Sequence, residues 1–297
     1  MTDGDARRLR ILERARLLDR IVAVLEADER VVAAWLGGSL GRGTGDAWSD
    51  VDLWVIVADE RMAAVGEGRR GFVAAVGPPV LIEEAPQNAP AGGAYLLVLY
   101  GGETGAQQVD WYWEPRSTAR VPVGVRVLFD RVGVPPVPPA APLGEGERAA
   151  ALSDGVAVFW VAVLLAAKAV ARGRAWAATR MMDWAVGSMA EVEWLLDHDV
   201  PAGHDDLKDA GIDGRWTFPS AAAGEQLALQ KEIAGAMAGL APRVAALGGA
   251  VPEEGARQVG AFLEVVDGGG RRASRGRPGA GAEAPQARVE RTKSRRD

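Results

Sequence analysis

Gly37-Gly38-Ser39-Leu40-Gly41-Arg42-Gly43-Thr44-Gly45-Asp46-Ala47-Trp48-Ser49-Asp50-Val51-Asp52 is the stretch on which the reading of this chain turns. The apolar run Val31 to Leu36 leads into it, and a second run, Leu53 to Val57, leaves it. The stretch reads as a glycine-serine turn, a short polar loop, and two aspartates one residue apart at the head of a strand. Alternate residues of a strand share a face, so Asp50 and Asp52 aim the same way. Two carboxylates held that close repel each other unless a cation lies between them. Hard oxygen donors of this kind suit Mg²⁺, which is commonly held by one or two carboxylates plus substrate phosphates. The glycines upstream let a backbone approach a phosphate closely.

The segment resembles the signature of the DNA-polymerase-β-type nucleotidyltransferase superfamily, a Gly-Ser followed about ten residues later by Asp-x-Asp. Gly38-Ser39 and Asp50-Val51-Asp52 match it, and Arg42-Gly43 and Ser49 match the fuller form of the antibiotic (aminoglycoside-type) nucleotidyltransferases. Val127-Leu128-Phe129-Asp130-Arg131-Val132-Gly133 resembles the strand and turn that close the domain in those relatives, so the resemblance runs over roughly residues 15 to 131.

The resemblance implies a third carboxylate on a neighbouring strand. Asp110, in Gln107 to Trp113, stands where one is expected. It implies one or two Mg²⁺ ions held by Asp50, Asp52 and Asp110. It also implies an NTP co-substrate, ATP in the first instance, whose phosphates are held by Gly38, Ser39 and the forked cation of Arg42. A glutamate on the strand after the Asp pair serves as general base in related adenylyltransferases. Glu83 is the better match because alternation places it with Leu81, Glu84 is its neighbour, and Glu103 and Glu114 are weaker matches. Lys168 lies in the most apolar helix, where an unpaired charge is costly. A reach towards the triphosphate accounts for it, and so does snorkelling to the surface.

Tryptophan placement gives further expectations. Trp111 and Trp113, alternate residues following Asp110, read as walls of an acceptor pocket, while Trp48 reads as a stacking surface for a base or sugar. Trp176, Trp184 and Trp194 are spaced near helical multiples, which predicts core positions.

The 297 residues, 48% of them apolar, suffice for two ordinary domains. Cysteine is absent, so disulfides and thiolate metal sites are excluded, and the two histidines, His198 and His204, lie outside the motif. Met1 to Arg20 is densely charged and lacks the apolar run of a signal peptide. Val156 to Ala167, the most apolar window, is too short to span a bilayer. A soluble cytoplasmic protein is expected. Charge is divided unevenly: Gly268 to Asp297 carries nine Lys or Arg against three acids, +6, which leaves −12 on residues 1 to 267 of a chain with formal charge −6. An acidic body disfavours nucleic acid as substrate and favours a small cationic acceptor.

The order of elements predicts an α+β chain: a small mixed-sheet domain over residues 1–133, a Pro-rich linker over 134–144, an all-α helical-bundle domain over 145–267, and a disordered basic tail over 268–297. The tail reads either as a solvated extension or as an arm for an anionic partner. A helix is expected from residue 6 to 28, and strands at Val31–Leu36, Asp50–Val57, Val80–Glu84, Tyr95–Tyr100, Gln107–Trp113 and Val123–Phe129. Four helices follow the linker.

The reading that follows is a Mg²⁺-dependent nucleotidyltransferase moving AMP, or another NMP, onto a hydroxyl of a small cationic molecule such as an aminoglycoside. In the bundle, Asp183, Glu191, Glu193, Asp197 and Asp199 are candidate acceptor-site acids. Two other readings stand beside it: a superfamily member that modifies a protein or RNA, like an antitoxin, and an inactive nucleotide-binding regulatory module. The presence of all three carboxylates speaks against the last.

Overall fold

The computed structural model describes residues 2–203, 207, 215, 216 and 219–275; His204 and the basic segment 276–297 lie outside them. The chain divides into two compact units, Met1–Pro139 and Ala140–Asp297.

The first unit opens with α1 (Asp3–Glu26). A reciprocal cap starts it: the Thr2 hydroxyl accepts from the Asp5 N–H, and the Asp5 carboxylate accepts from the Thr2 N–H, both at 3.2 Å. Arg14, Leu17, Ile21 and Leu25 follow at helical spacing and form its buried stripe. Next come β1 (Val31–Leu36), a five-residue helix α2 (Gly38–Arg42), β2 (Val51–Val57), α3 (Met62–Val76), β3 (Pro79–Glu83), β4 (Ala94–Tyr100), β5 (Gln107–Pro115) and β6 (Arg126–Asp130). The six strands form one mixed sheet in the order β3-β4-β5-β2-β1-β6. Only the central pair, β2 and β5, runs parallel among the ladders.

The two faces of the sheet differ in kind. Leu53, Val55, Leu96, Val98, Val109, Trp111 and Trp113 pack on one side with Leu17, Ile21 and Leu25 of α1 and Val65, Phe72 and Val73 of α3. The opposite face carries Asp52, Trp54, Tyr95, Asp110 and Tyr112, and a small apolar cluster of Ala33, Trp35, Ile56, Ala119 and Val134 covers its far corner. Trp111 and Trp113 are therefore core residues, fully buried and stacked with ring centroids 5.4 Å apart. They alternate with Asp110 and so point away from it; the expectation that they wall an acceptor pocket is corrected.

The second unit contains α4 (Glu145–Ala171), α5 (Ala175–Asp197), α6 (Ala223–Ala246) and α7 (Glu253–Arg275). Their shared core includes Leu152, Val156, Phe159, Val163, Ala185, Met189, Val192, Ile233, Met237 and Leu263. Gly155 permits the close approach of α4 and α5, since a Cβ there would stand 2.7 Å from Val192 Cγ2. Helix α4 is longer than its apolar window suggested. By length and composition it is apolar enough to cross a membrane, and its inward side, with Phe159 and Val163, lies in the bundle core.

Three further expectations change. Trp176 is 86% exposed and Trp184 46%, because the buried stripe of α5 runs through Ala178, Met182, Ala185, Met189, Val192 and Leu196 and both tryptophans fall outside it. Helix α7 continues to Arg275, so the first basic residues after Gly268 extend a helix and are not part of a separate tail. The Pro-rich stretch is tied down at its start: Val121 N–H donates to Pro135 O and Val137 N–H to Val121 O, both at 2.9 Å. Trp111 is, with Trp113, among the largest fully buried side chains on the helix side. Trp111→Ala is expected to cost about 3–5 kcal/mol of stability. Chemical denaturation followed by circular dichroism checks this, and an unchanged midpoint would contradict its place in the core.

Candidate active site

Parallel pairing of β2 with β5 sets the site. The register aligns Asp52 with Asp110 and Trp54 with Tyr112. Paired residues in a ladder project to the same face, so the two carboxylates stand side by side. Asp50, one residue before β2, joins them, and one oxygen from each of the three lies within 4.8 Å of the others. Asp110 is 5% exposed, while Asp50 and Asp52 are half-buried. Three hard oxygen donors this close, one almost buried, fit a divalent cation of the Mg²⁺ class.

The glycine-serine segment closes over this cluster. Gly37 N–H donates to Asp52 O at 2.8 Å, which hangs α2 from the head of β2. Gly38 has φ +55°, and a Cβ there would lie 2.0 Å from Asp52 Oδ2. The residue must therefore be glycine both for its backbone and for the space the carboxylate occupies. Ser39 Oγ donates to Ser49 Oγ at 2.9 Å. Ser49 Oγ also accepts from Asp46 N–H at 2.9 Å and donates to Asp46 Oδ1 at 3.0 Å. One donor and two acceptor positions of a hydroxyl are all used. The Trp48 and Ser49 N–H groups also donate to Asp46 Oδ1, at 2.8 and 2.9 Å. These bonds, that from Trp48 first, hold the Asp46 carboxyl below its usual range. Arg42 is the last residue of α2, exposed, with its side chain against the Gly124 turn.

Helix α1 supplies residues that sequence reasoning missed. Arg14 is buried and donates to Ser49 O at 2.7 Å and Asp46 O at 2.6 Å. Burial pushes its guanidinium below the ordinary value, and Asp46 partly offsets this. Arg10 donates to Ala47 O at 3.0 Å and Ala106 O at 2.9 Å. Glu13 accepts from Glu103 N–H at 2.6 Å and from the Thr104 hydroxyl. The signal was available: Arg10 and Arg14 continue the phase of Leu17, Ile21 and Leu25, and an arginine inside an apolar stripe needs acceptors.

Tyr95, Gln108, Tyr112 and Trp54 also surround the carboxylates. Tyr95 OH donates to Asp110 Oδ1, and Gln108 Nε2 donates to Asp110 Oδ2 at 2.7 Å. Tyr112 stacks on Trp54 with centroids 4.6 Å apart. Burial first, then the charges of Asp110, Asp52 and Asp50, push the Tyr112 phenol up to about 12.

The remaining expected residues are placed as follows. Glu83 pairs with Leu97, and Leu97 pairs with Asp110, so Glu83, Asp110 and Asp52 lie in one row across the sheet and on one face. Two strand spacings separate Glu83 from Asp110, about 10 Å along the row. Glu84 points away and is held by Arg69 at 2.6 Å and Arg70 at 2.7 Å. Glu103 binds α1 through its N–H, and Glu114 sits further down β5 with its pKa raised by burial. Trp48 is 64% exposed, 5.8 Å from the guanidinium of Arg7. Lys168 belongs to the other unit, on α4 beside Gln258, Val259 and Phe262 of α7.

Residues 18–84 match the model of the nucleotidyltransferase domain family, a span that ends before Asp110. No curated protein matches the sequence. Among solved structures, an aminoglycoside 6-adenyltransferase from Bacillus subtilis aligns with a TM-score of 0.34 at 12% identity, over 84% of this chain and 97% of that one. The match to a nucleotidyltransferase domain lies within the first unit, over residues 18–84, and the protein is a nucleotidyltransferase.

Gly38→Ala is expected to reduce turnover by about a hundredfold or more, because the methyl group displaces the Asp52 carboxylate and strains the backbone. Steady-state kinetics beside a thermal melt checks this. Wild-type turnover in the variant would mean that Asp52 does not need its observed place.

Proposed function

We propose that the protein is a Mg²⁺-dependent enzyme that transfers NMP, AMP in the first instance, from an NTP to a hydroxyl of a small cationic acceptor and releases pyrophosphate. The convergence of Asp50, Asp52 and Asp110 carries this reading. The three carboxylates would hold one or two Mg²⁺ ions. Bound there, Mg²⁺ offsets triphosphate charge and makes the acceptor hydroxyl more acidic.

The chain's own residues then have definite tasks. Gly38 and Ser39 offer backbone N–H groups to the β and γ phosphates. The Ser39 hydroxyl can join them by exchanging its bond to Ser49. Arg42 adds a forked cation. The acceptor oxygen attacks the α-phosphorus as the bond to the pyrophosphate oxygen breaks. Its proton passes to Glu83, which has no ion pair among the described residues and faces the same side as the carboxylates. The separation of about 10 Å along the row leaves room for the acceptor between Glu83 and Asp110.

The acceptor's charge is inferred from the helical unit. A cleft of about 720 Å³ between α4 and α5 is lined by Asp154, Asp183 and Glu191, with Trp184 and Val158 beside them. Of the acids singled out in the sequence, Glu193 is paired with Arg215 at 2.7 Å and Asp197 with Arg243 at 2.6 Å. Asp183 and Glu191 carry no ion pair among the described residues and face the cleft. Such a lining attracts a polyamine-like or aminoglycoside acceptor and repels nucleic acid. A cytoplasmic location accords with an NTP donor.

Two outcomes test the reading. Asp50→Asn and Asp52→Asn should each lower kcat/KM by about a thousandfold or more at saturating Mg²⁺, since several kcal/mol of charge stabilisation is removed. Pyrophosphate release is the readout, and retained turnover in either variant refutes the metal assignment. The acceptor is tested with Asp183→Asn/Glu191→Gln. Its KM for a cationic acceptor should rise by about five- to tenfold with the NTP KM unchanged, and wild-type acceptor KM should rise with salt. An acceptor KM indifferent to both changes leaves the nucleotidyltransferase and removes the cationic acceptor.

A further inference from the structure

Asp110 is the one carboxylate of the three that is nearly buried, and it stands on the strand face beside two aspartates. A buried carboxylate needs its lone pairs satisfied, and the donors that do so are specific. Tyr95 lies on β4 opposite Tyr112, one row from Asp110, and its hydroxyl reaches back to Asp110 Oδ1. Gln108 lies two residues before Asp110 on the same face, and its Nε2 donates to Asp110 Oδ2 at 2.7 Å. The same amide approaches Asp50 Oδ2 at 3.4 Å. The Tyr95 ring is itself fixed, 5% exposed and tilted at 54° against Tyr112 with centroids 5.0 Å apart. Tyr112 in turn stacks on Trp54.

A carboxylate offers about four lone-pair sites over its two oxygens. Tyr95 and Gln108 take one on each, which leaves one on each for a cation. The donors thus set the plane of the carboxylate without using up its capacity as a ligand.

We propose that Tyr95 and Gln108 are positioning residues of the transfer centre, which fix Asp110 in the orientation that lets it share a divalent cation with Asp50 and Asp52. The inference rests on the metal reading given above. It extends that reading to two residues outside the Gly-Ser and Asp-x-Asp motif, which act through Asp110. Partners of this kind, donating to a metal ligand from behind, typically alter metal affinity by 10- to 100-fold when removed.

The test titrates Mn²⁺ into the full chain without nucleotide, with free Mn²⁺ measured by electron paramagnetic resonance. Tyr95→Phe, Gln108→Ala and Asp110→Asn are compared with wild type, beside thermal melts in chelator. Tyr95→Phe and Gln108→Ala should each weaken Mn²⁺ binding by about tenfold. In turnover assays the metal concentration for half-maximal rate should rise by a similar factor, while acceptor KM at saturating metal stays the same. A lowered melting temperature with wild-type Mn²⁺ affinity in both variants overturns the proposal, because a purely structural role predicts that pattern. Gln108 is only half-buried, so Gln108→Ala decides the matter if Tyr95→Phe folds poorly. Wild-type Mn²⁺ affinity in Asp110→Asn removes the metal reading itself. Lost affinity there with none lost in the other two removes this inference alone.

Discussion

Three carboxylates with oxygens within 4.8 Å of one another repel. Each pair costs on the order of 1 kcal/mol in bulk water and about 3–4 kcal/mol at the effective dielectric of a protein surface. Much of the first unit can be understood as the means of holding them there. The parallel β2–β5 ladder fixes Asp52 against Asp110, and a slip of one residue would send one of them into the helix-side core. The helix-side residues Val51, Leu53, Val55, Val109, Trp111 and Trp113 resist that slip, since each would trade a buried place for an open one. The apolar face thus supplies the energy that keeps the acidic face in register. Like charges brought together at this cost are expected where a cation is to be bound, and perturbed or crowded titratable groups concentrate at functional sites.

Neutral donors and fixed backbone share the remaining task. Gly38 admits the Asp52 carboxylate into space that any side chain would fill, and the Ser39–Ser49–Asp46 chain locks the loop between the glycines and the aspartates. Arg14 adds a cation near the cluster, but it spends its hydrogen bonds on the carbonyls of Ser49 and Asp46 and not on the three carboxylates. A direct ion pair would have competed with a metal for the same lone pairs. Binding the loop's carbonyls instead shapes the site.

The sequence made the local chemistry legible and left the lateral arrangement implicit. The period-two pattern put Asp50 and Asp52 on one face, and the family resemblance pointed to Asp110, which the register sets beside Asp52. The switch from strand signals to alanine-rich helices after the Pro-rich stretch marked the mixed-sheet and all-helical parts that the structure contains. What it did not reveal follows from long-range pairing. Nothing local says that Tyr95 stands next to Tyr112, or that Glu83, Leu97, Asp110 and Asp52 form one row. Trp111 and Trp113 lie an odd number of residues from Asp110 on β5, so strand alternation turns both to the other face. Trp176 and Trp184 misled for another reason. Their spacing was helical, but the phase of the buried stripe is set by Ala178, Met182 and Ala185, and large aromatic size did not override it.

The span that matches the nucleotidyltransferase family model ends at Glu84, so the motif most readily seen in sequence covers only part of the candidate centre. The third carboxylate and both of its donors come from β4 and β5, which lie beyond it. These later strands face different constraints. In the loop before β2, Gly38 is demanded both by its backbone conformation and by the space the Asp52 carboxylate occupies. In β4 and β5 the demand is only for an acid at one point and donors within reach of it, which several residue types at several positions can meet. Sequence signatures are sharp where backbone geometry restricts the choice and faint where side-chain reach relaxes it. Asp110 is consequently found by asking what stands beside Asp52 across the parallel ladder, and Tyr95 and Gln108 by asking what keeps a buried carboxylate satisfied once it is there.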